Sequence, residues 1–157
     1  MIKIIDGNLL DATEEYVCHQ CNCLSRGAAG VAAAIFSKWP ETNVYHRRGG
    51  SASKAGTIEI VHSPTGEKPH VINMFSQYAP GGPQVEGYDS RADRIHWFKQ
   101  SLNNIIRQTE SGASYAFPYK IGCGLGGGDW GAYIDILKTF ETYVKGDVVL
   151  YYLKAGR

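Results

Sequence analysis

No apolar run in this 157-residue chain approaches the roughly 20 residues that a membrane-spanning helix needs. The N-terminus, MIKIIDGN, lacks the shape of a secretory signal and begins directly with strand-like residues. Membrane insertion and export are therefore set aside, and a cytoplasmic protein is expected, in a host cytoplasm if the source is viral. Charge of one sign is missing too. Sixteen Lys plus Arg stand against 15 Asp plus Glu, for a formal net charge of +1, and there is no Lys/Arg block. That argues against a nucleic-acid binder working by phosphate neutralisation. Internal repeats and low-complexity linkers are also absent. Residues 1–157 therefore read as a single domain, long enough to bury its own core and expected to be a monomer.

Cysteine is sparse, with 4 in the chain, and three of these crowd into CHQCNC at Cys18, Cys21 and Cys23. A CxxC spacing invites a zinc or redox reading. YVCHQCN, however, has the composition of a strand, where residues three apart point to opposite faces. With no second CxxC to complete a zinc site, neither a metal site nor a cofactor is expected. The thiols read as buried or loop cysteines in a reducing compartment.

Glycine is what the chain has in quantity, 19 residues, five of them in YKIGCGLGGGDW at 119–130. This stretch follows the apolar run Tyr115-Ala116-Phe117-Pro118 and precedes a helical pattern. Strand, glycine loop, helix is the order in which α/β proteins present backbone N–H groups to a phosphate. Asp129 stands where the helix should begin, as an N-cap or as a catalytic or ribose-binding acid. A second stretch has the same order. The strand Tyr16 to Asn22 is followed by Gly27 and Gly30, then by an alanine-rich helix that Pro40 ends. Its apolar positions Val31, Ile35 and Trp39 share one face, with Ala32 and Phe36 beside them.

The remaining segments alternate in type. Residues 2–5 make a first strand, and a short helix near 41–50 carries His46, Arg47 and Arg48 on a solvated face. Thr57 to His62 and His70 to Ser76 are strands, the second containing Asn73 and ending before Gln77. Residues 78–90, rich in proline and glycine, suggest a mobile loop or a lid. Ser90 can cap a long helix with Ile95, Phe98, Leu102, Ile105 and Ile106 at helical spacing. Ile134, Leu137, Phe140 and Val144 define the last helix, and VVLYYL the last strand. The order β–β–α–α–β–β–α–β–α–β predicts an α/β fold: a three-layer α/β/α sandwich on a mixed sheet of about six strands. Ligands of such sheets bind at the carboxyl ends of the strands, where both glycine loops lie. Two such loops together suggest two adjacent phosphates, as in a nucleotide-like diphosphate.

DGNLLDA, HQCNCLSRGAAGVAAAIFSKWPE, VINMFSQ, FPYKIGCGLGGGDW and VVLYYL together resemble the macro domain family, which binds ADP-ribose. The resemblance covers nearly the whole chain and looks closest to the ADP-ribose-1''-phosphate phosphatase branch of yeast and large tailed phages. It implies a small-molecule partner, ADP-ribose or its 1''-phosphate, with nucleic acid entering only as an ADP-ribosylated substrate. It places Asn8, with the Leu9 backbone, at the adenine amino group, where many relatives have Asp. Asn22 falls at the distal ribose, and Gly30, Val31 and Ala32 at the first diphosphate loop. Gly122, Cys123, Gly124, Leu125, Gly126, Gly127 and Gly128 form the second. Many relatives have an aromatic residue at the position of Gly126, so glycine is expected to leave room for an extra phosphate.

The reaction that the resemblance implies is hydrolysis of the 1''-phosphomonoester. His19 and Asp129 are the candidates for proton handling, with Asn73 and Gln77 orienting ligand or water. A sibling branch removes ADP-ribose from proteins or DNA bases using a lysine at the end of the VINMFSQ strand and an aspartate directly after GCGL. Gln77 and Gly126 occupy those positions here. Two alternatives stay open: a binding module without turnover, and a hydrolase acting on ADP-ribosylated protein or nucleic acid.

Overall fold

The computed structural model describes residues 1–85 and 87–153. Residue 86 of the expected lid and residues 154–157 lie outside the described residues. The strands are β1 (Lys3–Asp6), β2 (Tyr16–Asn22), β3 (Ile58–Val61), β4 (His70–Gln77), β5 (Tyr115–Pro118) and β6 (Val148–Tyr152). The helices are α1 (Gly30–Lys38), α2 (Val44–Arg47), α3 (Arg91–Gln108) and α4 (Trp130–Val144). The sheet has six strands in the order β1-β6-β5-β2-β4-β3. Only the β3–β4 pairing at its edge is antiparallel among the described residues.

Strand alternation divides the core into two layers. Tyr16, Cys18, Ile72, Met74, Tyr115 and Phe117 face α3 and α4, where they meet Phe98, Leu102, Ile105, Tyr133, Leu137 and Phe140. Val17, Cys21, Val71, Phe75 and Ala116 face the other way, onto Ala32, Ile35, Phe36, Val44 and Tyr45. Cys18 and Cys21 thus lie on opposite sides of the sheet, and all four thiols are free. Ser90 caps α3 in a full capping box with Asp93, which satisfies free N–H groups of the first turn in both directions.

Three local expectations are corrected. Val31 is 46% exposed rather than part of the buried stripe, because it sits in the first turn of α1 at the mouth of a cavity. Arg47 is exposed, as expected, but paired, and Arg48 is drawn in to the end of β2. Arg47 grips Glu59 with two hydrogen bonds of 3.0 and 2.6 Å, and Arg48 donates to Asn22 O, Ser25 O and Ser53 Oγ, each at 2.9 Å. The proline–glycine segment after β4 is tied at both ends instead of hanging as a loose lid. The Asp89 carboxylate accepts from the Tyr78 and Ala79 N–H groups, and Arg94 donates to the carbonyls of Ala79, Gly81 and Gly82.

Candidate ligand cavity

Chain connectivity makes a crevice between β2 and β5. From β2 the chain runs through α1 towards β4 on one face. From adjacent β5 it runs through α4 to β6 on the other. The two exits diverge, so the loops leave a gap at this switch point. A cavity of ≈ 450 Å³ fills it. Its walls include His19, Asn22, Gly30, Val31, Ala32, Gln77 and Gly122 through Gly126. Six of the residues singled out from the sequence lie elsewhere: Asn8, Leu9, Asn73, Gly127, Gly128 and Asp129 are not in the wall. No Asp or Glu lines the cavity among the described residues, and Lys120 does, so the walls favour an anion.

The two helix N-termini here differ in a way that decides where negative charge fits. α1 begins after Ala29, whose side chain cannot cap it, and Ala29 to Ala32 form part of the cavity wall. Alanine at an N-cap costs about 1 kcal/mol against Ser or Asp, and it leaves first-turn N–H groups open to an anion. α4 is already capped: Asp129 is exposed and accepts from Gly131 N at 3.3 Å. Asn8 is also spent locally, since its Oδ1 accepts from Leu10 N at 2.9 Å at the head of a short 3₁₀ turn.

The glycine loop is packed tightly on itself. Gly128 N donates to Gly122 O at 2.9 Å, and a Cβ at Gly126 or Gly128 would lie 2.8 or 2.7 Å from that same oxygen. The space a side chain at Gly126 would enter is thus taken by the loop's own carbonyl, so the glycine is required by the packing of the loop. Across the cavity mouth, Leu125 approaches Gly30 so closely that a Cβ there would sit 3.2 Å from its Cδ1. The two loops thus meet over the cavity. Below them an amide ladder fixes the floor: Ser76 Oγ donates to Gln20 Oε1 (2.9 Å) and Gln20 Nε2 to Gln77 Oε1 (2.8 Å). Gln77 Nε2 donates in turn to Ala79 O (2.8 Å).

Asn22 ends β2 in a tight polar turn. Its Oδ1 accepts from Leu24 N and Ser25 N at 3.0 and 2.8 Å, while its own N–H donates to Tyr45 Oη at 2.9 Å. Arg48, expected on a solvated face with His46 and Arg47, instead holds this turn from below. Asn22 is otherwise at a useful place, between the α1 loop and β4. Tyr45, Gln20 and Lys120 are further wall residues not foreseen. Ala29 itself was the missed signal: a strand–loop–helix junction whose N-cap is alanine has left its helix end for something else.

His19 is 1% exposed, with Phe36 edge-on at 5.4 Å between centroids and Nε2 2.6 Å from Asn73 Oδ1. Burial pushes its pKa down to about 4, against the opposing effect of the Asn73 hydrogen bond, so the ring is neutral at pH 7. A histidine whose folded pKa lies below its unfolded value stabilises fully above about pH 6.5 and loses that contribution as pH falls towards 4. Over that window, urea titrations of wild type and His19→Gln should diverge. Wild type is expected to lose about 3 kcal/mol more than the variant. Parallel pH profiles would show that the ring is not buried neutral.

Cys123 is the one half-buried thiol, and it lies in the cavity wall. Burial and the nearby Asp129 charge push its pKa up to about 11, so it is no nucleophile at neutral pH. Iodoacetamide should label the folded protein on the order of a hundredfold more slowly than free cysteine at pH 7.5. The rate should rise about tenfold per pH unit. A fast, pH-independent reaction would mean an activated thiolate.

No family model matches the chain. The uncharacterized 17.5 kDa protein of the tk-vs intergenic region of phage T4 is 24% identical over 148 residues, which is 90% of this chain and 91% of the phage protein. Among solved structures, the macrodomain of Mycobacterium tuberculosis DarG aligns over 98% of this chain and 99% of its own, with TM-score 0.74 and 24% identity. A variant of the Oceanobacillus iheyensis macrodomain, solved with ADPR, aligns over 97% of this chain and 84% of its own, with TM-score 0.66 and 18% identity. Aligned over nearly its whole length with these structures, this chain has the macrodomain fold.

Proposed function

We propose that the cavity binds ADP-ribose and that the protein hydrolyses ADP-ribose-1''-phosphate to ADP-ribose and phosphate. The observation that carries this reading is the pairing of an uncapped α1 N-terminus with the Gly122–Gly126 stretch across one cavity that no Asp or Glu lines among the described residues. A helix end without a side-chain cap and a glycine-rich main chain facing it suit a diphosphate lying between them. Its ≈ 450 Å³ falls in the usual range for small-molecule sites, about 300–1,000 Å³. The ADPR bound to the Oceanobacillus macrodomain gives the same ligand class on the same fold.

Hydrolysis needs a water oxygen to attack phosphorus while the bond from phosphorus to the ribose oxygen breaks. The water's proton must pass to a base, and the leaving oxygen must gain one. Of the two side chains that the resemblance nominates, His19 is in the wall and neutral, whereas Asp129 caps α4 outside it. The proton-accepting role therefore falls to His19. Lysine-type removal of ADP-ribose has no support here, because Gln77 fills the lysine's place with its amide bonded and Gly126 has no side chain. A binding module without turnover is the second reading, favoured by the absence of any carboxylate from the wall among the described residues.

Calorimetry with ADP-ribose, alongside an assay of phosphate released from ADP-ribose-1''-phosphate, tests both parts. Binding with phosphate release supports the proposal. Binding without release leaves the second reading, and no binding removes both.

A further inference from the structure

His19, Asn73 and Glu59 lie side by side across three strands. Register pairs His19 with Asn73 between β2 and β4, and Asn73 with Glu59 between β4 and β3. Residues directly opposite share a face, so the three side chains meet in one row on the α1 and α2 side of the sheet. Arg47 of α2 closes the row by donating to Glu59 Oε2 and Oε1 at 3.0 and 2.6 Å. Asn73 Nδ2 donates to Glu59 Oε1 and to Thr42 O, each at 3.0 Å.

This row fixes a proton. Glu59 Oε1 and the Thr42 carbonyl only accept, so they orient the fully buried Asn73 amide with its nitrogen outward and Oδ1 towards His19. Oδ1 offers lone pairs alone. His19 Nε2, 2.6 Å away, must therefore be the donor. A neutral imidazole has one N–H, which leaves Nδ1 as the ring's acceptor.

We infer that Glu59, on the edge strand and outside the cavity, is a positioning residue that holds His19 in its Nε2–H tautomer, which leaves Nδ1, with the Cys21 Sγ 3.9 Å away, as the ring's unprotonated nitrogen. Arg47 anchors Glu59 and completes the row from the surface. The inference rests on the proton-accepting role of His19 proposed above, and the same arrangement would set the ring's hydrogen-bonding pattern in a protein that only binds.

Long-range ¹H–¹⁵N correlation on the ¹⁵N-labelled full chain at pH 7.5 reads the tautomer directly, independent of turnover. Wild type is expected to show His19 with a protonated Nε2 and an unprotonated Nδ1. Glu59→Ala, which leaves the Asn73 amide only the Thr42 carbonyl as acceptor, should shift both nitrogens part of the way towards averaged values and lower kcat for phosphate release about tenfold with KM within twofold. Glu59→Gln, whose amide oxygen can still accept from Asn73, should restore the wild-type nitrogen pattern. A protonated Nδ1 in wild type would overturn the inference. So would an unchanged Nε2–H pattern in Glu59→Ala. If wild type releases no phosphate yet shows the expected pattern and its loss in Glu59→Ala, the phosphatase reading fails while the positioning stands.

Discussion

Arg94→Ala should lower the unfolding free energy by about 3–5 kcal/mol, the range for removing one partner of a buried ion pair. Arg94 is 2% exposed and Asp89 0%, and they meet through two hydrogen bonds of 2.8 and 2.7 Å. Truncation would leave the Asp89 carboxylate buried without its counter-charge. It would also take the guanidinium from the carbonyls of Gly82 and Gly126, and leave those of Ala79 and Gly81 only the Gln77 amide as donor. Gly81 and Gly126 belong to the cavity wall, so the loss would reach the site as well as the fold. Arg94→Lys should recover little, because a lysine has no planar fork to span Asp89 and four carbonyls. Urea titration with an unchanged slope, and a melting temperature lower by about 10 °C, would bear this out. A loss under about 1 kcal/mol would reduce the pair to surface-like weight.

Why that pair escaped notice in the sequence says much about what a sequence can show. The layers were legible because they rest on local periodicity: Ile35 and Phe36 in α1, Phe98, Leu102 and Ile105 in α3, and Leu137 and Phe140 in α4 all face the core. So were the glycine loops, since loop position follows from strand and helix order. Arg94 lies in an ordinary charged first turn of α3, and its acceptors come from two distant stretches of chain, residues 79–89 and Gly126. No spacing announces that. Arg48 is hidden in the same way, beside the exposed His46 and Arg47.

Val31 shows the opposite failure. It was placed on a face by its position in a periodic pattern, but a helix terminus obeys capping before periodicity, as Asp129 does in the capping half of its two readings. Val31 is in the first turn of a helix that Ala29 leaves uncapped, so its side chain faces the cavity mouth. Asp129 is the cap that α1 lacks. The relation of His19 to Asn73 needed strand register, which composition does not fix when neighbouring strands are apolar on both faces.

Gly122→Ala should cost the protein at least about a hundredfold in affinity for ADP-ribose, equivalent to about 2.8 kcal/mol. Gly122 has φ +77°, a left-handed conformation that an alanine adopts at a cost of about 1–2 kcal/mol. Sterics add to that. The new Cβ would lie 2.6 Å from Tyr133 Cε2 and 3.0 Å from Gln20 Oε1. Tyr133 cannot yield, because it is 1% exposed and its ring lies against Phe98 with centroids 4.7 Å apart. Gln20 is held by Ser76 and Gln77. Residue 122 must therefore move, and its carbonyl with it. That carbonyl accepts from Gly128 N and is in close contact with Gly126, so the whole second loop would shift relative to α1. Gly131→Ala supplies the control. Its Cβ would meet only the Asp129 carboxylate, at an ordinary 3.7 Å, and in the first turn of α4 alanine should leave binding intact while adding a few tenths of a kcal/mol of stability. Calorimetry at a temperature where melting curves show both variants folded separates binding from unfolding. Wild-type affinity in Gly122→Ala would mean that the loop does not hold the diphosphate.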